Sequence, residues 1–253
     1  MKSTYALALM LATGTLFLTT ASLRASETDD RIESAAAKSF VFKTYLAKDS
    51  IKTESKNGLV TLSGTVSESA HKSLAEDTVE SLPGVKSVDN QLTVKGENPA
   101  EHSDTWIKVK VKSVLMFHRN VSGSGTEVSV KDGVVTLRGA ATSLAQKELT
   151  AEYAKDIDNV KEVKNEMTVA TTPATPAETL GEKIDDASIS AQVKSSLFSH
   201  RSTSAIKTKV STTDGVVTVS GKAKNEAEKT LVTKLATDIN GVNSVVNNMT
   251  VAK

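Results

Sequence analysis

The chain has 253 residues, of which 38% are hydrophobic and only 4% aromatic, and its 31 lysine and arginine residues nearly balance 30 acidic ones. This balance disfavours a nucleic-acid-binding protein, because phosphate neutralisation calls for a strong basic excess. The absence of cysteine excludes disulfides, thiolate metal sites, a cysteine nucleophile and a lipid-modified N-terminal cysteine. The low aromatic content favours several small aliphatic cores over one large core.

Residues 1–25 are predicted to form a cleavable signal peptide. Lys2 precedes an apolar run over residues 5–18 that is too short to span a bilayer comfortably, and small residues follow it. We expect cleavage after Ala21 or Ala25, and an uncleaved membrane anchor is the alternative. Because an exported chain without cysteine is typical of the bacterial periplasm, we expect a periplasmic protein.

The rest of the sequence consists of three copies of one unit. Gly58, Gly133 and Gly215 are 75 and 82 residues apart, and the same offsets hold without a gap over units of 67 residues. The second and third units are identical at about 32 of these 67 positions. Identical spacing over whole units predicts three domains of one fold. We call them modules 1, 2 and 3, and they cover residues 29–95, 104–170 and 186–252.

Two polar linkers connect the modules. Residues 96–103 form the first, and residues 171–185 form a second that is rich in Thr, Pro and Ala. Pro173 and Pro176 favour extended backbone in the second linker. We therefore expect module 3 to be held at a distance from the other two.

The order of predicted elements is the same in every module. A helix with apolar residues at intervals of four is expected to begin at an acidic cap, which is Asp29, Asp104 or Asp186. Two alternating strands follow, and the dipeptide between them suits a type I′ hairpin turn. A second helix and one last strand complete the unit, and the last strand covers Val85–Val94, Val160–Val169 or Val242–Val251.

The predicted fold class is α+β, with three tandem α-β-β-α-β modules. Each module is expected to be a small mixed three-stranded sheet with two helices on one face, because the crossover from the second strand to the third is right-handed. A unit of 67 residues provides only a marginal core. Each module is therefore expected to be a binding module and not to enclose a catalytic cavity.

Two glycines flank the second strand of each module. The first is assigned to the hairpin turn, where glycine supplies a positive φ angle, and the second to the end of the strand or to a bulge. A phosphate-binding loop is the alternative, but these glycines do not open a helix. We interpret all six as structural turn glycines: Gly58, Gly64, Gly133, Gly139, Gly215 and Gly221.

The repeated segments resemble those of the BON domain family. Gly133–Gly139 reads GVVTLRG in module 2, and Gly241–Val251 reads GVNSVVNNMTV in module 3. Module 1 carries corresponding segments over Gly58–Gly64 and Gly84–Val94. The resemblance covers nearly the whole chain after the leader. It implies a role in envelope stress, attachment to phospholipid surfaces and help for other exported proteins, and it brings no general set of catalytic residues.

Sequence motifs of enzymes and metal sites are missing. The chain has no GxSxG, HExxH or P-loop motif, so we predict no catalytic residues and no enzyme activity. His71 and His102 lack the spacing of metal ligands, and we expect neither a metal nor a cofactor.

A His-Arg pair follows the first helix of modules 2 and 3, at His118-Arg119 and His200-Arg201, where module 1 has Lys43. We interpret these cations as complements of the dipole of the preceding helix. An anion or metal site is the alternative.

The first helix of module 2 carries the predicted lipid-binding residues. If its apolar positions face the core, Trp106 is expected to be partly exposed, while Lys108 and Lys112 share one stripe with Lys110 nearby. A tryptophan beside lysines suits a membrane interface with anionic lipid. In the alternative interpretation, Trp106 covers the small core and the lysines are ordinary solvated residues.

We therefore predict a non-enzymatic periplasmic protein that responds to envelope stress, such as osmotic stress, and attaches peripherally to phospholipid membranes through weak multivalent contacts. The alternative is a chaperone or scaffold that binds exported proteins through exposed apolar sheet edges. A carbohydrate binder is disfavoured, because a single tryptophan offers little stacking surface. No nucleic acid is expected as a partner. The sequence leaves the oligomeric state open, since the outer strands of the sheets provide edges for pairing.

Overall fold

The structure is a computed structural model that describes residues 16–96, 99–170, 183–203 and 208–252, with side chains from residue 27 onward. The first fifteen residues of the predicted signal peptide, and Pro173 and Pro176 of the second linker, lie outside the described residues. Both predicted cleavage sites fall within a helix, Leu16–Lys38, that continues into module 1. Cleavage of the leader stays a prediction.

The predicted fold class is confirmed, because each module follows the order α-β-β-α-β around a small mixed sheet. Module 1 comprises α1 (Leu16–Lys38), the short α2 (Phe40–Thr44), β1 (Ser50–Lys56), β2 (Leu59–Val66), α3 (Ser69–Glu80), β3 (Ser87–Asn90) and β4 (Thr93–Val94). Module 2 comprises α4 (Asp104–Phe117), β5 (Thr126–Lys131), β6 (Val134–Ala141), α5 (Leu144–Lys155), β7 (Glu162–Asn165) and β8 (Thr168–Val169). Module 3 comprises α6 (Asp186–Ser199), β9 (Thr208–Thr213), β10 (Val216–Ala223), α7 (Glu226–Thr237), β11 (Ser244–Asn247) and β12 (Thr250–Val251).

The second strand of each module is the centre of its sheet. In module 3, β10 pairs antiparallel with β9 on one side and parallel with β11 and β12 on the other. The last strand that the sequence predicted is thus broken into two pieces, and a side chain explains the break. Asn247 donates to the carbonyl oxygen of Lys229 on α7 at 2.9 Å and accepts from the N–H of Met249 at 3.0 Å. Asn90 and Asn165 make the same two contacts in their modules.

The aspartate at the start of each first helix holds the hairpin turn. The carboxylate of Asp104 accepts the backbone N–H groups of Asp132 and Gly133 at 2.7 and 2.8 Å. Ser103 caps α4 instead, because its side chain accepts from the N–H of Trp106. The same carboxylate-to-turn bonds occur at Asp29 and Asp186. The predicted capping role of these aspartates was therefore wrong, since their carboxylates point to the hairpin.

The second glycine of each module lies inside a strand. Gly139 has a φ of 126°, and β6 continues past it to Ala141 with an unchanged register to the parallel strands β7 and β8. The strand therefore neither ends nor bulges at this glycine, contrary to expectation. A Cβ atom at Gly139 would lie 2.2 Å from the carbonyl oxygen of Gly125, so the close approach of the backbone just before β5 leaves room only for glycine.

Module 3 packs against both other modules, so the expected separation was wrong. Helix α6 contacts α3 of module 1 and α4 of module 2, and ten of its fourteen residues are buried. Many of these residues are Ala or Ser, whose small side chains let the neighbouring helices approach closely. The buried apolar residues of modules 1 and 3 form one continuous cluster that also includes Phe117 of module 2, and the other buried apolar residues of module 2 form a second.

The first turn of α2 is attached to module 3. The N–H of Phe40 donates to the Asp185 carboxylate at 2.7 Å, and the N–H of Val41 donates to the Ser188 hydroxyl at 3.0 Å. Just after α2, Tyr45 packs edge-on against Phe117 at the end of α4, with ring centroids 5.3 Å apart. All three modules therefore meet around α6. None of the helices described here is long and apolar enough to cross a membrane.

Candidate interaction surfaces

Helix α4 places the predicted lipid-binding residues on the outside of module 2. It buries Ile107, Val111 and Leu115 in the core of the module. The residues on its other sides are therefore available for contacts outside the module.

Lys108 and Lys112 lie one turn apart on an exposed side of α4. Met116 continues the same stripe and is 41% exposed. Neither ammonium group has an ion-pair partner among the described residues. The position of Lys112 in the repeat is occupied by Lys194 in module 3, and that lysine is bound to carboxylates of module 1. Lys112 thus keeps an unpaired charge at the position where the lysine of module 3 forms ion pairs with module 1.

Trp106 is half-buried against the core of module 2. The ring of His102 meets it edge-on at 5.2 Å, and the Lys110 ammonium lies 5.4 Å from its centroid. The same ammonium lies 4.4 Å from the ring of Phe198 in module 3, which is 60% exposed. Burial lowers the pKa of Lys110. We call Trp106, Lys110 and Phe198 the aromatic flank of α4.

The structure separates Trp106 from two of the lysines predicted beside it. Two residues along a helix correspond to a rotation of about 200°, so Lys108 lies nearly opposite Trp106 on α4. Lys110, one turn from Trp106, is the lysine that contacts the ring. Trp106 therefore covers part of the core while leaving part of its ring exposed, and the free lysines form the other flank of the helix.

His118 is buried where module 2 meets module 3. Its Nδ1 atom lies 3.0 Å from Oδ2 of Asp238, and its Nε2 atom lies 3.0 Å from Oγ of Ser196. Asp238 also accepts hydrogen bonds from the hydroxyl of Tyr153 and the amide of Asn120. The ring of Tyr153 stacks on His118 with centroids 4.1 Å apart. Burial lowers the pKa of His118 although Asp238 acts in the opposite direction, so the neutral imidazole is favoured.

The contact is repeated with the two modules exchanged. Nδ1 of His200 lies 2.9 Å from Oδ2 of Asp156. The backbone of His118 pairs with Ile239, and that of His200 pairs with Ile157. The residues of the two halves are related by the offset of 82 that relates modules 2 and 3, so the interface has local two-fold symmetry. We call these two His–Asp pairs and two backbone bridges the clasp.

The arginines that follow the two histidines also bind the neighbouring module. The backbone N–H of Arg119 donates to the carbonyl oxygen of Asp238 at 2.9 Å, and its guanidinium donates to Ile239 and Val242 carbonyl oxygens at 2.6 and 2.7 Å. The N–H of Arg201 makes the equivalent bond to module 2. Our interpretation of the His-Arg pairs as complements of their own helix dipole was wrong, because the chain turns into extended backbone at the ends of α4 and α6 and directs each pair at the other module.

Clusters that could hold a metal ion are not found within the described part of the chain. The distinctive side chains of the structure lie instead on an outer helix and at the contacts between modules. These features define a protein of tandem α+β interaction modules.

The sequence comparisons agree with this class. The model of the BON domain family matches residues 28–96, 103–171 and 185–253. The chain therefore belongs to the BON domain family.

Named relatives share about a third of their residues with the aligned part of the chain. The chain is 32% identical over 146 residues to osmotically-inducible protein Y of Escherichia coli (strain K12), an alignment that covers 58% of this chain and 71% of that protein. It is 32% identical over 135 residues to the outer membrane lipoprotein DolP of Haemophilus influenzae, covering 53% and 68%.

A solved structure was also matched, the C-terminal domain of CdsD, the structural protein of the type III secretion system of Chlamydia trachomatis. That match covers 88% of this chain and 96% of that one, with 18% sequence identity and a TM-score of 0.22. At these values the family assignment rests on the sequence matches.

Proposed function

We propose that this chain is a non-enzymatic envelope-stress protein of the bacterial periplasm, exported with a cleavable signal peptide, that attaches peripherally to phospholipid through α4 of module 2. Two relatives support the setting, since one is named as osmotically inducible and the other as an outer membrane lipoprotein. The lipid-binding residues in this proposal are Lys108, Lys112 and Trp106.

The observation that carries the proposal is the free, exposed charge of Lys108 and Lys112 on one side of α4. A lysine near an anionic bilayer surface contributes about 1 kcal/mol, so two of them contribute a factor of about 30 in affinity. Met116 extends the same stripe with an exposed apolar side chain. The chain as a whole has a net charge of only +1, so the attraction must come from such a local group.

The aromatic flank supplies the apolar part of the proposed contact. Phe198 is 60% exposed, and Trp106, which contacts the same Lys110 ammonium, is partly exposed. Tryptophan prefers the headgroup level of a membrane, where its apolar ring and its polar N–H are both accommodated, and phenylalanine adds apolar area to the contact. Lys108 and Lys112 lie on the other side of α4. Their long side chains extend to the lipid headgroups, where the ammonium groups stay in the polar layer.

Vesicle co-sedimentation at low salt tests the proposal. We expect the mature protein to sediment with vesicles rich in phosphatidylglycerol and not with phosphatidylcholine vesicles, and binding to fall as salt screens the lysines. The double variant Lys108→Gln/Lys112→Gln is expected to weaken binding about 30-fold.

A matched control is available in module 3. Lys222 and Lys224 are also exposed, so Lys222→Gln/Lys224→Gln changes the net charge by the same amount on another surface. We expect this control to bind nearly as well as the unmodified protein. Equal losses in both double variants would show that net charge alone governs binding, and failure of the unmodified protein to bind anionic vesicles would contradict the proposal outright.

A further inference from the structure

A cleft of about 790 Å³ lies between modules 1 and 3. Helix α3 forms one wall, α6 forms another, and the consecutive residues Thr208–Thr212 of β9 line it as well. Successive side chains of a strand point to opposite faces of the sheet. Because consecutive residues of β9 line the cleft, the strand presents its edge to it.

The edge of β9 has backbone groups available for pairing. Within the described residues, β9 is paired only with β10. Thr213 and Val216 flank the two-residue turn Asp214-Gly215 and form its closing hydrogen-bonded pair. Hydrogen-bonded and non-hydrogen-bonded pairs alternate in such a ladder, so Val210 and Thr212 direct their N–H and C=O groups away from β10.

Module 1 shows what this edge position can bind. Ser55 occupies the place in β1 that Thr212 occupies in β9, and its backbone N–H donates to the carboxylate of Glu33 at 2.7 Å. In module 3 the residue equivalent to Glu33 is Ser190, whose hydroxyl bonds the Thr212 hydroxyl at 2.8 Å. The glutamate that covers the edge in module 1 is therefore replaced in module 3 by a short side chain.

The wall formed by α3 is acidic. Glu76, Asp77 and Glu80 line it, and Lys194 of α6 lies 3.6 Å from Asp77 and 2.8 Å from Glu80. One lysine is thus shared by two carboxylates, while Glu76 accepts a hydrogen bond from the neutral amide of Asn90. Burial raises the pKa of Asp77 to about 6, and the neighbouring glutamates add to this effect. A cation entering the cleft would relieve this crowding of carboxylates.

We propose that this cleft binds an extended polypeptide segment of another protein, which adds to the edge of β9 as a strand and places basic side chains against the carboxylates of α3. Main-chain pairing supplies the affinity in such strand addition, and pockets for alternate side chains supply the specificity. Exposed Phe198 lines the same cleft and offers an apolar contact at its rim. This site is separate from Lys108 and Lys112 on α4.

Two octapeptides test the proposal with the full-length mature protein. One alternates lysine with valine, the other alternates glutamate with valine, and both carry a fluorescent label for anisotropy. We expect only the lysine peptide to bind. Glu76→Gln keeps an acceptor for the Asn90 amide but removes a charge, and it is expected to weaken binding about fivefold. Glu148→Gln, on the exposed side of α5, removes the same charge elsewhere and is expected to bind as the unmodified protein does.

Amide hydrogen exchange measured by NMR decides whether the peptide pairs with the strand. We expect the lysine peptide to slow exchange at Val210 and Thr212, while the amides of Lys209 and Ser211 are already protected by β10. Binding without slower exchange at Val210 and Thr212, or equal binding of both peptides, would overturn the proposal. Lys108→Gln/Lys112→Gln should leave peptide binding unchanged, so the lipid and peptide proposals can fail separately.

Discussion

The imidazole of His118 and the carboxylate of Asp238 belong to different modules, yet their Nδ1 and Oδ2 atoms lie 3.0 Å apart in a buried contact. His200 and Asp156 form the same contact with the modules exchanged. The two pairs make modules 2 and 3 a two-fold unit within one chain. This unit fixes α4 against α6, and with it the aromatic flank that brings Phe198 to Trp106.

Removal of the Asp238 carboxylate is expected to destabilise the protein strongly. His118, Tyr153 and Asn120 all direct hydrogen-bonding groups at it, and their polar atoms would stay buried without a partner. We expect Asp238→Ala to lower the free energy of unfolding by about 3 kcal/mol in urea denaturation. Glu148→Ala, which removes an exposed carboxylate, should lower it by less than about 0.5 kcal/mol. Similar values for the two variants would argue against the clasp.

The contribution of His118 to the free energy of unfolding is expected to decrease as the pH falls below about 6.5. Burial lowers the pKa of His118 in the folded protein, so between its folded and unfolded pKa values the unfolded chain binds the additional proton. This stabilisation is complete above the unfolded pKa and is lost below it. Denaturation curves from pH 7.5 to pH 5 measure the effect.

His118→Asn is expected to flatten this pH dependence, because the amide can donate to Asp238 and does not titrate. His102→Asn, at a side chain that is half exposed, is the matched control and should leave the slope unchanged.

Asp77 changes the free energy of unfolding in the opposite direction over the same range, because burial raises its pKa to about 6. Asp77 is present in every variant, so the difference in slope between the unmodified protein and His118→Asn measures His118 alone. Asp156 does not contribute in this range. Burial raises its pKa, but hydrogen bonds from His200 and Ser202 outweigh this and lower it below 3.8, so its contribution is lost only at more acid pH. An unchanged slope in His118→Asn would contradict the assignment.

Gly139 and Gly96 offer a matched pair for testing the close approach of β5 to β6. Both have positive φ angles, but a Cβ at Gly96 would meet nothing within 4 Å, whereas one at Gly139 would collide with a backbone oxygen. We expect Gly96→Ala to lower the free energy of unfolding by about 1 kcal/mol and Gly139→Ala by about 3 kcal/mol or more. Equal effects would mean that backbone conformation alone selects glycine at both positions.

The sequence was sufficient for the fold of each module, because the signals are local. Apolar spacing along α4 predicts its buried side, and the Asp132-Gly133 dipeptide predicts the hairpin turn. The pairing of Trp106 with Lys110 could also have been recognised, since residues four apart share one side of a helix. The break in the last strand was not predicted, because it depends on the bond from Asn247 to the carbonyl oxygen of Lys229, which forms only when α7 packs on the sheet.

The arrangement of the modules could not be derived from the same patterns, because His118 and Asp238 are 120 residues apart and only the packing of the modules brings them together. One signal was nevertheless present in the repeats. Modules 2 and 3 share His-Arg after the first helix and Asp-Ile after the second, whereas module 1 has Lys43 and Ser81-Leu82 at these positions. Module 1 therefore lacks both the His-Arg pair and the Asp-Ile pair, as expected for residues that bind each other.

The most direct test of the account is the fluorescence of Trp106, which is the only tryptophan in the chain and therefore reports on α4 alone. Anionic vesicles whose acyl chains carry bromine quench a tryptophan that reaches the headgroup region. We predict quenching of Trp106 by these vesicles, no quenching by neutral ones, and loss of quenching in Lys108→Gln/Lys112→Gln. Unchanged emission from protein that has sedimented with the vesicles would show that another surface faces the membrane.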